Sequence, residues 1–259
     1  MLNKKWALIL GGSSGLGLAT AQKLAQHHFN IIIVHRDRRS DLAEIEKEFE
    51  SIKSNGVLLK NYNLDATNTA KRKEIIFDIE SWIGSDKIDV LVHSIAKGNL
   101  KPMYSTTEKT LEHQDFQLTL EAMAISAYDW TNALVQQNLF AKDTRIIAFT
   151  SEGNTKVIPN YAAVSAAKVA LEAIIRNIAL EFAHIGIKAN CIQAGVTETA
   201  SFKMIPGSDK IKEFAIKRNP NKRLTQPEDV ANVVYLLTTE EAKWITGTII
   251  KVDGGESLR

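Results

Sequence analysis

A chain of 259 residues, 44% hydrophobic and 24% charged, has enough apolar mass for a large buried core and none of the bias of a disordered segment. Its net charge of +2 excludes bulk attraction to nucleic acid, and its single cysteine, Cys191, excludes an intrachain disulfide. The first apolar run, Ala7 to Leu10, is too short for a signal sequence or a membrane span, so a cytoplasmic protein is expected.

Apolar runs at 6–10, 30–34, 57–60, 88–93, 145–150, 187–193 and 248–252 predict strands. Longer patterns at 15–28, 41–54, 69–83, 108–138, 160–184 and 227–238 predict helices. This alternation predicts an α/β protein: a single-domain, doubly wound Rossmann fold over 1–259, with about seven parallel strands and helices on both faces. The segment 195–226 interrupts the pattern, with one short helical stretch around Asp209–Arg218. Long excursions in compact α/β domains are often functional, and a substrate-binding lid is expected there.

The run Gly11-Gly12-Ser13-Ser14-Gly15-Leu16-Gly17 lies between the first strand and the first helix. Glycines there let backbone approach a pyrophosphate, and the free N–H groups and dipole of the helix attract it. Gly11, Ser13, Ser14, Leu16 and Gly17 are therefore candidate cofactor contacts. The second strand ends in His35-Arg36-Asp37-Arg38-Arg39. Arginine at this place suits an adenosine 2′-phosphate, which favours NADPH through Arg36 and Arg38, whereas Asp37 keeps NADH within reach.

Tyr161 and Lys168 stand seven positions apart at the head of the 160–184 pattern. At about 3.6 residues per turn the two side chains project from one helical face. A cation near a phenol favours the ionised form, so the pair is suited to donating a proton or polarising a carbonyl oxygen. Cys191, in an apolar run with no His or Cys at metal spacing, reads as core, and no metal site is expected.

With these features together the whole chain resembles the short-chain dehydrogenase/reductase family. Leu64-Asp65-Ala66-Thr67, Arg223 through Val230 and Val252-Asp253-Gly254-Gly255 match further family segments. Most members space the pair as Tyr-x3-Lys; Tyr-x6-Lys is similar to the enoyl-acyl-carrier-protein reductases of fatty-acid synthesis. Val92-His93-Ser94-Ile95-Ala96 and Gln193 through Thr199 extend that likeness, and the glycine spacing resembles its NADPH-using type. The resemblance implies that Tyr161 hydrogen-bonds a thioester carbonyl and that Lys168 binds the nicotinamide ribose. It also implies that Asp65 and Ala66 meet the adenine, that Ser94, Ile95 and Ala96 line the ribose side, and that Ile192, Thr197 and Thr199 contact the carboxamide. Ser151 falls where the principal enoyl reductases carry a second tyrosine; it reads either as the carbonyl-binding serine of the wider family or as a strand-end hydroxyl bonding backbone. Ala122 falls near the place of an active-site Asn in many members, which favours enoyl over carbonyl reduction.

An acyl-carrier protein is the implied partner, and Lys203, Lys210, Lys212, Lys217, Arg218, Lys222 and Arg223 around the expected lid would steer it. A homotetramer packed through the helices at 108–138 and 160–184 is implied as well. Two other readings stay open at this stage: reduction of another carbonyl substrate, such as a 3-oxoacyl thioester or a steroid or sugar alcohol, and a non-catalytic sensor of NADP(H).

Overall fold

The structure, a computed structural model, describes residues 4–259. Among the described residues seven strands form one parallel sheet: β1 (Trp6–Leu10), β2 (Asn30–His35), β3 (Leu59–Asn63), β4 (Ile88–His93), β5 (Phe140–Ser151), β6 (Ile187–Ala194) and β7 (Ile249–Val252). Their order is β3-β2-β1-β4-β5-β6-β7. The chain builds outward from β1 in one direction and then restarts at β4 in the other, so a crevice opens beyond the carboxyl ends of β1 and β4.

Alternation along each strand sorts the core into two layers. Trp6, Leu8 and Leu10 of β1 join Ile32 and Val34 of β2 on one face, against α3 (Thr69–Ile83), α5 (Ser126–Gln136) and α6 (Ala162–Glu181). Ala7, Ile9, Ile31 and Ile33 face the opposite way, against α1 (Gly15–Gln26), α2 (Leu42–Lys53) and α9 (Pro227–Leu237). Strands buried on both faces read as unbroken apolar runs, which is why Ile31-Ile32-Ile33-Val34 was legible as a strand. No helix among the described residues is long and apolar enough to cross a membrane.

Three elements depart from the sequence expectation. The third strand lies at Leu59–Asn63 rather than 57–60, because this edge strand is only half-buried and carries Lys60, Asn61 and Asn63 in place of an apolar run. The fifth begins at Phe140, ahead of the apolar stretch, with a register shift against β4 between Ile88 and Val90. The expected helix at 108–138 starts only at His113, where Asp115 accepts a hydrogen bond from the backbone N–H of Glu112 at 2.9 Å. That helix, α4 (His113–Leu120), passes through a π turn at Glu121–Ile125 into α5. The segment 195–226 holds the expected helix as α8 (Ser208–Arg218), preceded by the short α7 (Ala200–Lys203).

Candidate active site

The β1–α1 turn packs so closely that two of its glycines have no substitute. A Cβ on Gly17 would lie 2.1 Å from the Gly11 carbonyl oxygen, and one on Gly11, at φ 85°, would lie 2.5 Å from that of Ser94. Ser14 is the N-cap of α1, yet its side chain makes no capping bond, and no acidic residue sits in the first turn. The first-turn N–H groups therefore lack a side-chain acceptor and open towards the crevice.

At the end of β2 the buried ring of His35 bonds the Asp37 carboxylate through Nδ1 at 2.8 Å, and its Nε2 faces the Asn61 side-chain oxygen at 3.2 Å. Arg36 reaches across to Asp65 at 2.7 Å, and Lys97 joins the same carboxylate oxygen at 3.0 Å. Burial alone would raise the Asp65 carboxyl, but hydrogen bonds from Thr67 and the charge of Lys97 hold it down at about 2. Two residues expected in separate roles, Arg36 and Asp65, are thus ion-paired with each other.

Tyr161 is not within the helix. It caps α6, following Asn160 in the left-handed region at φ 63°, and its ring packs against Gly153, where a Cβ would come within 2.5 Å of it. Its hydroxyl lies 3.5 Å from Ser151 Oγ. Lys168, two turns into α6 and buried, donates to the Phe149 carbonyl at 2.7 Å. The expectation that the lysine lowers the phenol's pKa is corrected here. Burial pushes the Tyr161 phenol up, with only the Ser151 hydrogen bond opposing it, so the phenol stays protonated and has an O–H to donate.

Burial likewise pushes Lys168 down to about 8, against attraction from neighbouring Cys191 and Glu172. Burial raises the Cys191 thiol to about 12, so at neutral pH it carries no charge and Glu172 is the effective partner. Glu172 itself accepts from Thr150 and Asn154. Beneath them His93, held at about 3 by burial and by the charge of Lys168, is a neutral imidazole. The Ser126 hydroxyl donates to the Ala122 carbonyl at 2.8 Å, so at 2.8 Å from Ser126 Oγ the Nε2 of His93 must be the donor. This bond braces the π turn, where Ala122 is buried.

One cleft of about 1120 Å³ gathers the expected residues: Gly11, Ser13, Ser14, Leu16, Arg36, Arg38, Asp65, Ala66, Ser94, Ile95, Ala96, Ser151, Tyr161, Lys168, Thr197 and Thr199. Gly17 stands behind this wall as the packing glycine. Ile192 is a correction. It is fully buried among Val92, Ile147 and Phe149, because its side chain points to the α9 face of the sheet; the cleft is lined instead by the residues that follow it, Gln193 through Thr197.

Sequence reasoning also missed a clamp beside Ser151. Arg218, at the end of α8 and nine-tenths buried, bonds Glu152 and Glu256, while Glu256 accepts from the Val196 N–H at 3.0 Å. The clamp ties the 195–226 segment to both the Ser151 strand end and the C-terminal turn. Of the basic group expected there, Arg218, Lys203, Lys212 and Arg223 are all paired with carboxylates. The outer cleft wall is apolar, with Val157, Met204 and Phe214 largely exposed beside Ile158 and Ile205.

The family model described as Enoyl-(Acyl carrier protein) reductase matches residues 11–257. The enoyl-[acyl-carrier-protein] reductase [NADH] FabI of Buchnera aphidicola is 29% identical over 99% of this chain and 96% of its own length. The 3-oxoacyl-[acyl-carrier-protein] reductase FabG of Staphylococcus epidermidis is 28% identical over 97% and 98%. Among solved structures, the enoyl-[acyl-carrier-protein] reductase (NADH) of Aquifex aeolicus superposes over 100% of this chain and 98% of its own, with a TM-score of 0.85 and 24% identity, a likeness of fold. By the match that spans nearly its whole length, the chain belongs to the short-chain dehydrogenase/reductase oxidoreductases, in the family of that enoyl-(acyl carrier protein) reductase model.

Proposed function

We propose that this oxidoreductase is an enoyl-acyl-carrier-protein reductase that uses NADPH to saturate the 2,3-double bond of a 2-enoyl thioester. The observation that carries the reading is the Tyr-x6-Lys pair facing one cleft with the glycine turn, its phenol protonated and its lysine buried. Ala122 in the π turn, with no amide to relay protons, supports the same choice.

The residues fit a nicotinamide dinucleotide. The glycine turn can fold this tightly beside the cleft only because Gly11 and Gly17 carry no Cβ, and the uncapped N–H groups of α1 suit the charge of a diphosphate. Arg36 and Arg38 would hold the 2′-phosphate, Asp65 and Ala66 the adenine, and Ser94 to Ala96 the ribose side. Lys168 would bind the nicotinamide ribose, and Thr197 and Thr199 the carboxamide. When bound, NADPH supplies a hydride to the β-carbon of the substrate. Tyr161 donates its O–H to the thioester oxygen, and that bond strengthens as negative charge gathers there. Burial keeps this donor protonated through the working pH range. Val157, Met204 and Phe214 offer the acyl chain an apolar wall.

Lys210, Lys217 and Lys222, which have no carboxylate partner among the described residues, would steer an acidic acyl-carrier protein to the cleft mouth. A homotetramer through the outer faces of α4 to α6 fits the exposed Leu118, Tyr128, Val169 and Leu180, and sedimentation would read it.

A second reading, reduction of a 3-oxoacyl thioester, draws on the 3.5 Å approach of Ser151 to Tyr161, which suits a shared ketone oxygen. Crotonyl and acetoacetyl thioesters, each assayed with NADPH and with NADH, separate the two. Turnover of crotonyl thioester supports the first reading; turnover of acetoacetyl thioester alone replaces it with the second.

A further inference from the structure

The carboxylate at the end of β2 lines the cleft with one of its two oxygens already engaged. Asp37 is the acidic residue at the end of β2, where a carboxylate accepts from the ribose hydroxyls of NADH. Its Oδ2 is occupied by His35 Nδ1 at 2.8 Å. Its backbone is pinned as well: Asp37 N–H donates to Asn63 Oδ1 at 2.9 Å, and Asn63 Nδ2 donates back to the Asp37 carbonyl at 3.2 Å. The His35 ring cannot follow a moving carboxylate. It is buried, faces Asn61 through its other nitrogen, and packs edge-on against Phe49 at 5.5 Å between ring centres.

We infer that His35 is a specificity-determining positioning residue, which withholds the Asp37 carboxylate from the cofactor ribose and so sets the preference for NADPH over NADH. This rests on the reading that the cleft takes a nicotinamide dinucleotide. A carboxylate left free at this place would do two things. It would accept from the two ribose hydroxyls of NADH, and it would repel the 2′-phosphate of NADPH. Bound to an N–H of His35, with its backbone fixed by Asn63, it does neither in full. Arg36, exposed and with N–H groups beyond the one spent on Asp65, and Arg38 line the cleft on either side of Asp37 and are left to decide the selection.

The test is the pair of dissociation constants for NADPH and NADH, measured by calorimetry on the intact protein and paired with kcat/KM for each. His35→Leu keeps an apolar body beside Phe49 and removes the N–H that holds Asp37. It is expected to tighten NADH and weaken NADPH, narrowing the ratio of the two constants by about tenfold, the scale of one charge-assisted hydrogen bond. Asp37→Asn in the parent is expected to change NADH binding by under about twofold, since its carboxylate is already engaged. His35→Leu with Asp37→Asn together should erase the gain.

Loss of NADH binding in His35→Leu, or about tenfold weaker NADH binding in Asp37→Asn, would mean that His35 presents the carboxylate to the ribose, and the inference is overturned. If His35→Leu does not fold, the Asp37→Asn arm decides alone. A parent that binds NADH more tightly than NADPH refutes the cofactor reading separately, and one that binds neither refutes the dinucleotide site.

Discussion

Removing the ammonium of Lys168 should change how stability depends on pH, in a direction that its burial dictates. In the folded protein the lysine titrates at about 8, against an ordinary 10.5. Below pH 8 both folded and unfolded chains carry the charge, and the folded state bears the whole penalty of burying it. Between 8 and 10.5 the unfolded chain holds a proton that the folded chain has released, so stability rises with pH. At about 1.4 kcal/mol per pH unit, the parent should gain about 2 to 3 kcal/mol between pH 7 and pH 10 relative to Lys168→Met. The variant also strands the Phe149 carbonyl and leaves Glu172 without its cation, losses that do not vary across this window. Cys191, which titrates at about 12 when folded, pulls stability the other way above pH 9 but does so in both proteins and cancels in the difference. Urea unfolding at each pH gives the free energies, with equal m-values as the check on two-state behaviour. A parent-minus-variant difference that is flat from pH 7 to 10, or that falls, would refute the claim that Lys168 is a desolvated cation.

Tyr161→Phe should lower kcat by at least about a hundredfold with little change in KM, since the donor acts on charge that forms only in the transition state; steady-state kinetics with crotonyl thioester reads this. Arg218→Met leaves the buried Glu256 without its cation and Glu152 with Lys156 alone, and should cost about 3 kcal/mol, measured as a lowered urea midpoint at pH 7. Gly17→Ala drives a Cβ into the Gly11 carbonyl, so NADPH binding by calorimetry should be lost even where the fold survives in circular dichroism. Arg36→Gln should weaken NADPH binding about tenfold and leave NADH within about twofold.

The frame was legible because parallel strands buried on both faces write themselves as apolar runs, and because Gly11 and Gly17 are required by backbone contacts that no other residue survives. The Tyr161 and Lys168 positions were legible from spacing, but their electrostatics were not. Spacing brings the two side chains into one cleft; it does not say that Phe149 O takes the ammonium, or that burial outweighs attraction at the phenol. The ion pairs Arg36–Asp65 and Arg218–Glu256 were invisible for a different reason: each joins residues far apart in sequence, and only the sheet order brings them together. Ile192 was misread because residues along a buried strand alternate faces, and its place falls on the core side, short of the strand end that opens on the cleft.

The polar groups beneath the cleft form a charge arrangement simpler than their number suggests. His93, Lys168, Glu172 and Cys191 are all buried, and four ionisable groups in so small a volume would carry a large desolvation penalty if all were charged. Burial removes two of them from the reckoning. His93 falls to about 3 and Cys191 rises to about 12, so both are neutral across the physiological range. What remains is one cation on α6 and one anion a single turn further along it, with Glu172 also bonded to Thr150 and Asn154 on either side of Ser151. The neutral members still act: His93 braces the π turn through Ser126, and Cys191 fills core. A phenol above this pair sees a nearly neutral base, and burial alone then decides that it keeps its proton. Tyr161 is therefore set to donate a hydrogen bond to an oxygen that becomes negative, and poorly set to remove a proton from one that is neutral.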